Sequence, residues 1–284
     1  MDRGFVFGAF GEPYGLLAAQ AARTVRAIHP DIPIDLFADA APDGADVFDK
    51  VHILQDAHFR PKFEALIRSR FERTLYLDSD IAMVAPVNDV FDLLGRFDVA
   101  AAHVQVRMPE DDLQTTRPIP AAYPQINTGV FGIRRSEATR AFLESCVRTL
   151  IETEAKQDQP IVRRALYEGD LRLAVLPWQY NLKNLRLLVS MHRQSLAPRI
   201  IHSSYFHRRI GDHRVPTLEE VIGPRAMAHI EAMIACDPTL GGDRREVPPM
   251  YESLPGFAFL KKLTNRRRKR QGIEFPKRLP PGLW

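Results

Sequence analysis

The stretch Arg73-Thr-Leu-Tyr-Leu-Asp78-Ser79-Asp80-Ile-Ala-Met-Val84 decides how the rest of the chain is read. Leu75, Tyr76 and Leu77 form a short apolar run suited to a strand buried on both faces, and Asp78 breaks the pattern at the expected carboxyl end. Open α/β sheets bind ligands at that edge. Aspartates at i and i+2 of an extended segment leave one face together, and their mutual repulsion calls for a cation between them. Oxygen ligands of this kind suit Mg²⁺ or Mn²⁺, which bridge the phosphates of nucleotides. Aspartates that merely cap a helix or turn the chain are the plainer reading. The buried strand before the pair and the apolar Ile81 to Val84 after it argue against that. A phosphatase loop of the type Asp-x-Asp-x-Thr/Val fits poorly, because position 82 is Ala and the pair lies far from the amino terminus.

Upstream, residues 4–9 read as a first strand, 11–15 as a turn, and the Ala-rich 16–28 as a helix. A second strand over 33–37 is closed by Asp39, a third covers 51–54, and a helix over 62–70 leads into the aspartate strand. Downstream come a short helix from Asn88, a strand over 97–103, a long prolyl and charged loop over 104–125, and a strand over 126–133. A helix over 136–156 follows, then one beginning at Asp158-Gln-Pro with Asp158 as its cap. A strand over 171–176, an apolar strand delivering His202, and a helix over 217–236 complete the pattern. Strands alternating with helices predict a mostly parallel, doubly wound α/β sheet flanked by helices.

With 284 residues and 45% hydrophobic content the chain can bury a large core. One main domain over 1–215 with a helical and basic extension over 216–284 is expected. The longest apolar runs fall short of the roughly 18 residues that a membrane span needs, and the first residues lack the apolar stretch of a signal peptide. A soluble, cytoplasmic protein is therefore expected. Cys146 and Cys236 fall on predicted helices and read as core thiols rather than a disulfide or metal site. The net charge of +4 is uneven. From Leu254 onward there are nine basic residues and one acid, a net of +8, which leaves 4 − 8 = −4 for the rest. Five consecutive cations, Arg266 to Arg270, flanked by Phe257, Phe259, Phe275 and Trp284, point to an anionic membrane surface or acidic glycan, with the protein peripheral at the inner membrane face. Nucleic acid is the less favoured partner.

Taken together, these residues resemble the GT-A nucleotide-sugar glycosyltransferases, especially the glycogenin-like and bacterial lipopolysaccharide galactosyltransferase type. The pieces stand in the family's order over about 4–210: the first strand and its turn, Lys62, Leu75-Tyr-Leu-Asp78-Ser-Asp80, Asn127-Thr-Gly129, Asp158-Gln159 and a late Ile-His202. The resemblance implies that Asp78, Asp80 and His202 hold a divalent metal, Mn²⁺ by preference or Mg²⁺. It implies that Ala9, Phe10 and Tyr14 hold the base and ribose, with Asp39 at their edge and Ser79 in the donor-binding set. Lys62 is assigned to the donor phosphate or sugar, and Asn127 and Gly129 to the border of donor sugar and acceptor. Asp158 and Gln159 are the catalytic pair near the reacting carbon. The resemblance departs after His202, where Ser203-Ser-Tyr-Phe-His207-Arg208-Arg209 replaces a Gly, Lys, Pro and Trp pattern. That leaves Arg208, Arg209 or His207 for the leaving phosphate.

The expected activity is metal-dependent transfer of a sugar from a nucleotide-diphosphate sugar, UDP by default, to a glycan or other hydroxyl acceptor. A metal-ligating late histidine accompanies retention of configuration. Two rivals remain: a sugar nucleotidyltransferase, which lacks its Gly-rich, lysine-containing opening here, and a non-catalytic nucleotide-sugar or polyanion-binding protein.

Overall fold

A computed structural model describes residues 1–55, 60–106, 118–208 and 214–253. The basic tail and the middle of the 104–125 loop therefore lie outside the described residues. In chain order the elements are β1 (Arg3–Ala9), α1 (Glu12–Ile28), β2 (Ile34–Ala38), β3 (Lys50–Ile53), α2 (Pro61–Arg68), β4 (Arg73–Leu77) and β5 (Ile81–Met83). Next come α3 (Asn88–Leu93), β6 (Val99–His103), β7 (Ile126–Arg134), α4 (Glu137–Glu152), α5 (Gln159–Glu168), β8 (Leu173–Leu176) and β9 (Ile200–His202). The short α6 (Tyr205–Arg208), α7 (Leu218–Ile222) and α8 (Pro224–Cys236) follow.

Seven strands form the central sheet in the order β3-β2-β1-β4-β7-β6-β8. All neighbours are parallel except the two pairs made by β7, which runs against both β4 and β6. The sheet is thus mostly parallel, as the sequence pattern predicts, with one reversed strand that no periodicity distinguishes. Side chains alternate across it. Phe5, Phe7, Leu75 and Leu77 pack with α1 and α3 on one face. Val6, Tyr76, Val99 and Phe131 pack with α2, α4 and α5 on the other. Both faces being covered accounts for the continuous apolar runs in these strands.

Two helix boundaries and one cap depart most from the sequence reading. Helix α1 begins at Glu12, because Pro13 suits a first helical turn and Gly11 takes φ 85° just before it. The single helix expected over 217–236 is two, broken at Gly223 (φ 85°), where α7 ends and α8 begins. Asp158 does stand at the N-cap of α5, but its side chain makes no cap bond; it is drawn instead to Lys62. Helix α8 packs Ile230 and Met233 against Leu182 and Ile201, extending the apolar interior behind β9. Cys146 and Cys236 are buried free thiols, as expected.

Reversal of β7 has a local consequence. Its amino end, Ile126 to Gly129, lies at the edge where β1 and β4 end, so residues from both strand directions meet there. The register with β6 breaks at this point, passing from Ala101↔Phe131 to Ala102↔Asn127. Such irregularities re-aim side chains next to binding sites. A second sheet of two strands pairs β5 with β9, and Ile81↔His202 is one of its partners. That pairing carries His202 to the aspartates.

One buried charge inside the sheet tests this architecture. The Asp35 carboxylate on β2 is almost wholly enclosed and accepts from Arg70 through Nε at 2.7 Å and Nη2 at 3.0 Å. His52 of β3 lies 3.1 Å away on the same carboxylate. Arg70→Met should cost about 3 kcal/mol in urea unfolding by stranding that charge, and Arg70→Met with Asp35→Leu should recover most of it.

Candidate functional site

The carboxyl edge of the sheet opens into a cavity of about 1000 Å³. Strand β4 ends at Leu77, and Asp78, the next residue, donates its backbone N–H to the Gly129 carbonyl at 2.8 Å. The chain then turns so that Asp80 meets β9, and the Ser203 N–H donates to the Asp80 carbonyl at 2.9 Å. His202 Nε2 stands 3.1 Å from Asp80 Oδ1 and 4.0 Å from Asp78 Oδ2. Asp78, Asp80 and His202 each offer a ligand atom within 4.8 Å of the other two.

A polar relay sets which face of His202 looks into this cluster. Asn127 Oδ1 accepts from the Gly129 N–H and from Asn181 Nδ2, both at 2.9 Å. The Asn181 oxygen is thereby turned to His202 Nδ1, 2.9 Å away, and so accepts its proton. Nε2 is thereby turned toward the two carboxylates, and with a cation between them it would offer its lone pair beside theirs. Such an array of electron pairs is stable around a cation, and outer hydrogen bonds of this kind orient metal-ligating imidazoles. Gly129 fits the same requirement. A Cβ there would lie 2.4 Å from His202 Cε1 and 2.7 Å from Asp78 Oδ2, so only glycine lets the imidazole approach. Two carboxylates and an imidazole at this spacing could hold a divalent ion.

Beside the cluster, Lys62 is buried and donates to Asp158 Oδ2 and Thr128 Oγ1, both at 2.9 Å, with Asp78 Oδ1 at 3.3 Å. Thr128 also donates to Asp158 Oδ2 at 3.0 Å. Burial works against the Lys62 charge, but Asp158 and Asp78 outweigh it and raise the ammonium's pKa. Burial likewise tends to raise the Asp158 carboxyl, yet Lys62 brings it down to about 2. Burial pushes up Asp80 too, and the His202 and His207 imidazoles more than reverse that, holding it well below the usual carboxylate range. Enclosure, with the charges of Asp78 and Asp158 added, lifts the Tyr76 phenol well above its ordinary value.

Of the residues singled out by sequence, Ala9, Phe10, Tyr14, Lys62, Asp78, Ser79, Asp80, Asn127, Asp158, Gln159 and His202 line the cavity. Phe10 and Tyr14 present rings that are 43% and 47% exposed. Gly129 sits directly behind His202 and Asp78. Asp39 is not among the lining residues; its Oδ1 accepts from the Gly11 N–H at 2.9 Å and shapes the start of α1. The side chains of Arg208 and Arg209 lie outside the described residues. His207 does reach the site, with Nε2 3.2 Å from Asp80 Oδ2 and its ring edge-on to Tyr14 at 5.2 Å. Sequence reasoning assigned nothing to Thr128 and Asn181. Asn181 is completely buried, and a polar residue closing a Trp-Gln-Tyr-Asn run carries no local sign of the histidine it supports. Residues 107–117 of the long loop lie outside the described residues, while Val104 to Val106 border the cavity.

No family model and no curated protein sequence matches the chain. Solved structures do. The galactosyltransferase LgtC, in complex with donor and acceptor sugar analogues, aligns at 15% identity over 78% of this chain and 100% of its own, with a TM-score of 0.55. An active-site mutant of LgtC aligns at 16% identity over 72% of this chain and 87% of its own, TM-score 0.53. The glycosyltransferase GlyE of Streptococcus pneumoniae aligns at 20% identity over 82% of this chain and 63% of its own, TM-score 0.54. At these identities the likeness establishes architecture, and this chain has the GT-A glycosyltransferase fold.

The relay is open to direct measurement. Asn181→Ala leaves His202 Nδ1–H and the Asn127 amide without their buried partner, and the expected loss in urea unfolding is about 1–3 kcal/mol. Mn²⁺ affinity, read by electron paramagnetic resonance, should fall by roughly 10–100-fold in the same variant.

Proposed function

We propose that this chain is a metal-dependent glycosyltransferase that takes a sugar from a nucleotide-diphosphate sugar, UDP by preference, and passes it to a glycan hydroxyl with retention of configuration. The observation that carries this reading is the convergence of Asp78, Asp80 and His202 at the carboxyl edge of a GT-A sheet, beside a buried lysine and inside a large cavity. Asp78, Asp80 and His202 would hold a divalent cation, Mn²⁺ or Mg²⁺, which supplies positive charge to the departing diphosphate.

The chain's own groups perform the remaining tasks. Phe10 and Tyr14 offer apolar faces at the end of β1 for a base and ribose. Lys62, clamped by Asp158 and Thr128, is a fixed ammonium that needs no reorganisation as charge develops on the leaving phosphate. Asp158 is engaged in that clamp and acts as its anchor. Gln159, the first residue of α5, lines the cavity with an amide oxygen available to a positively charging anomeric carbon. Inversion requires a carboxylate base for the acceptor hydroxyl. Among the described lining residues the carboxylates are Asp78, Asp80 and Asp158, two committed to the cation cluster and one to Lys62, which favours retention. The cation run Arg266 to Arg270 favours attachment of the enzyme to an anionic surface.

Incubation with a panel of nucleotide sugars and Mn²⁺ tests the proposal, with thermal shift reporting binding and released nucleotide reporting turnover. Asp78→Asn and Asp80→Asn should each lower release at least about 100-fold, a loss of about 3 kcal/mol of transition-state stabilisation. The fold should survive, since Asn keeps the size of Asp and an amide oxygen that can still accept at each position. Full release in the presence of a chelator would overturn the metal-dependent mechanism.

A further inference from the structure

The cavity's carboxylates face the cation cluster and Lys62, while Lys156 and Lys183 take no part in that exchange. Contacts run in order across the site. Tyr14 touches His207, His207 reaches Asp80, and Asp80 reaches His202. From there one branch passes through Asn181, whose backbone carbonyl accepts from Gln105 Nε2 at 2.9 Å. Gln105 Oε1 in turn accepts the N–H groups of Lys183 at 3.0 Å and Asn184 at 3.1 Å. Gln105 therefore spends its whole amide on fixing the backbone of this wall. The other branch passes from Asp78 through Lys62 to Asp158, and Arg60, whose charge acts on Asp158, donates to the Lys156 carbonyl. Each branch ends in a lysine that lines the cavity, and in this order of contacts the cation cluster stands between Tyr14 and both lysines.

Lys156 and Lys183 are exposed, and neither has a carboxylate partner among the described residues. Their sequence neighbours on the lining include Gln157, Gln159 and Asn184, amides suited to sugar hydroxyls, and the acid among them, Asp158, is taken up by Lys62. The arrangement runs against the background of the chain, because everything before the basic tail has a net charge of −4, from 4 − 8. A nucleotide diphosphate bound at the Phe10 and Tyr14 end meets the cation cluster and Lys62, and does not call for these two ammonium groups. We propose that the acceptor is an anionic saccharide, and that Lys156 and Lys183 recognise its carboxylate or phosphate while the amides take its hydroxyls. This rests on the transferase reading and names the substrate class of the same site.

The test uses the full chain saturated with UDP and Mn²⁺, with saturation-transfer NMR on three probes: methyl β-glucoside, methyl β-glucuronide and glucose 6-phosphate. At least one anionic probe should bind roughly tenfold more tightly than the glucoside at low salt, with the preference shrinking as ionic strength rises. A preference for the glucuronide identifies a carboxylate acceptor, and one for glucose 6-phosphate a phosphorylated acceptor. Lys156→Gln with Lys183→Gln should erase the preference, and the paired Lys→Arg variant should keep it. Equal binding of neutral and anionic probes, no binding of any probe, or a preference that survives the double glutamine variant overturns the proposal. Failure of UDP with Mn²⁺ to bind at all would strike the transferase reading itself, and the thermal shift of the nucleotide alone separates that failure from the others.

Discussion

Holding two carboxylates together against their own repulsion is the constraint from which the rest of this structure follows. Asp78 and Asp80 leave the end of β4 on one side of the chain, and nothing in that strand compensates them. Relief comes from distant segments: His202 and His207 press on Asp80, and Lys62 on Asp78. Each compensating group needs its own support, because a buried polar atom without a partner is costly. Asn181 and Asn127 support the histidine, and Asp158 with Thr128 supports the lysine. The site is a closed set of obligations, in which each charged group is held by partners from other segments.

The three acids of the cavity differ in fate through surroundings alone. Asp158 is sealed against Lys62 and Thr128 and serves as a counter-charge. Asp80 is gripped through both oxygens by imidazoles, which sets the carboxylate's orientation. Asp78 is the most open of the three, with 29% of its side chain accessible, and faces both the ammonium and the imidazole. Residue type alone would not have separated an anchor from a ligand.

Much of this was legible in the sequence, for identifiable reasons. Strands buried on both faces write themselves as unbroken apolar runs, and the abrupt Asp78-Ser-Asp80 at the end of one of them marks the binding edge. Helix α2 and the aspartate strand were readable because their periodicity is local. The reversal of β7 was not, since a strand covered on both faces has the same pattern in either direction. Nor was the Asn127–Asn181 relay, which depends on side chains meeting from two segments that share no local pattern. Asp158 misled in an instructive way: its place before Gln159-Pro160 is that of a cap, but an enclosed ammonium outcompetes the helix's own N–H groups for the carboxylate.

The β5–β9 pairing also bears on how the protein comes into being. His202 closes the site from near the end of the described fold, and the Lys62–Asp158 pair spans 96 residues of sequence. A chain still growing on the ribosome has its aspartate strand and Lys62 long before its histidines, so a nascent β4 edge carries Asp80 without its imidazole partners and an unfilled neighbour position. Contacts of such long range form late, after their loops have closed. The most demanding part of the molecule is thus also among the last to be assembled, and Asp78 and Asp80 wait for His202 to complete their cluster.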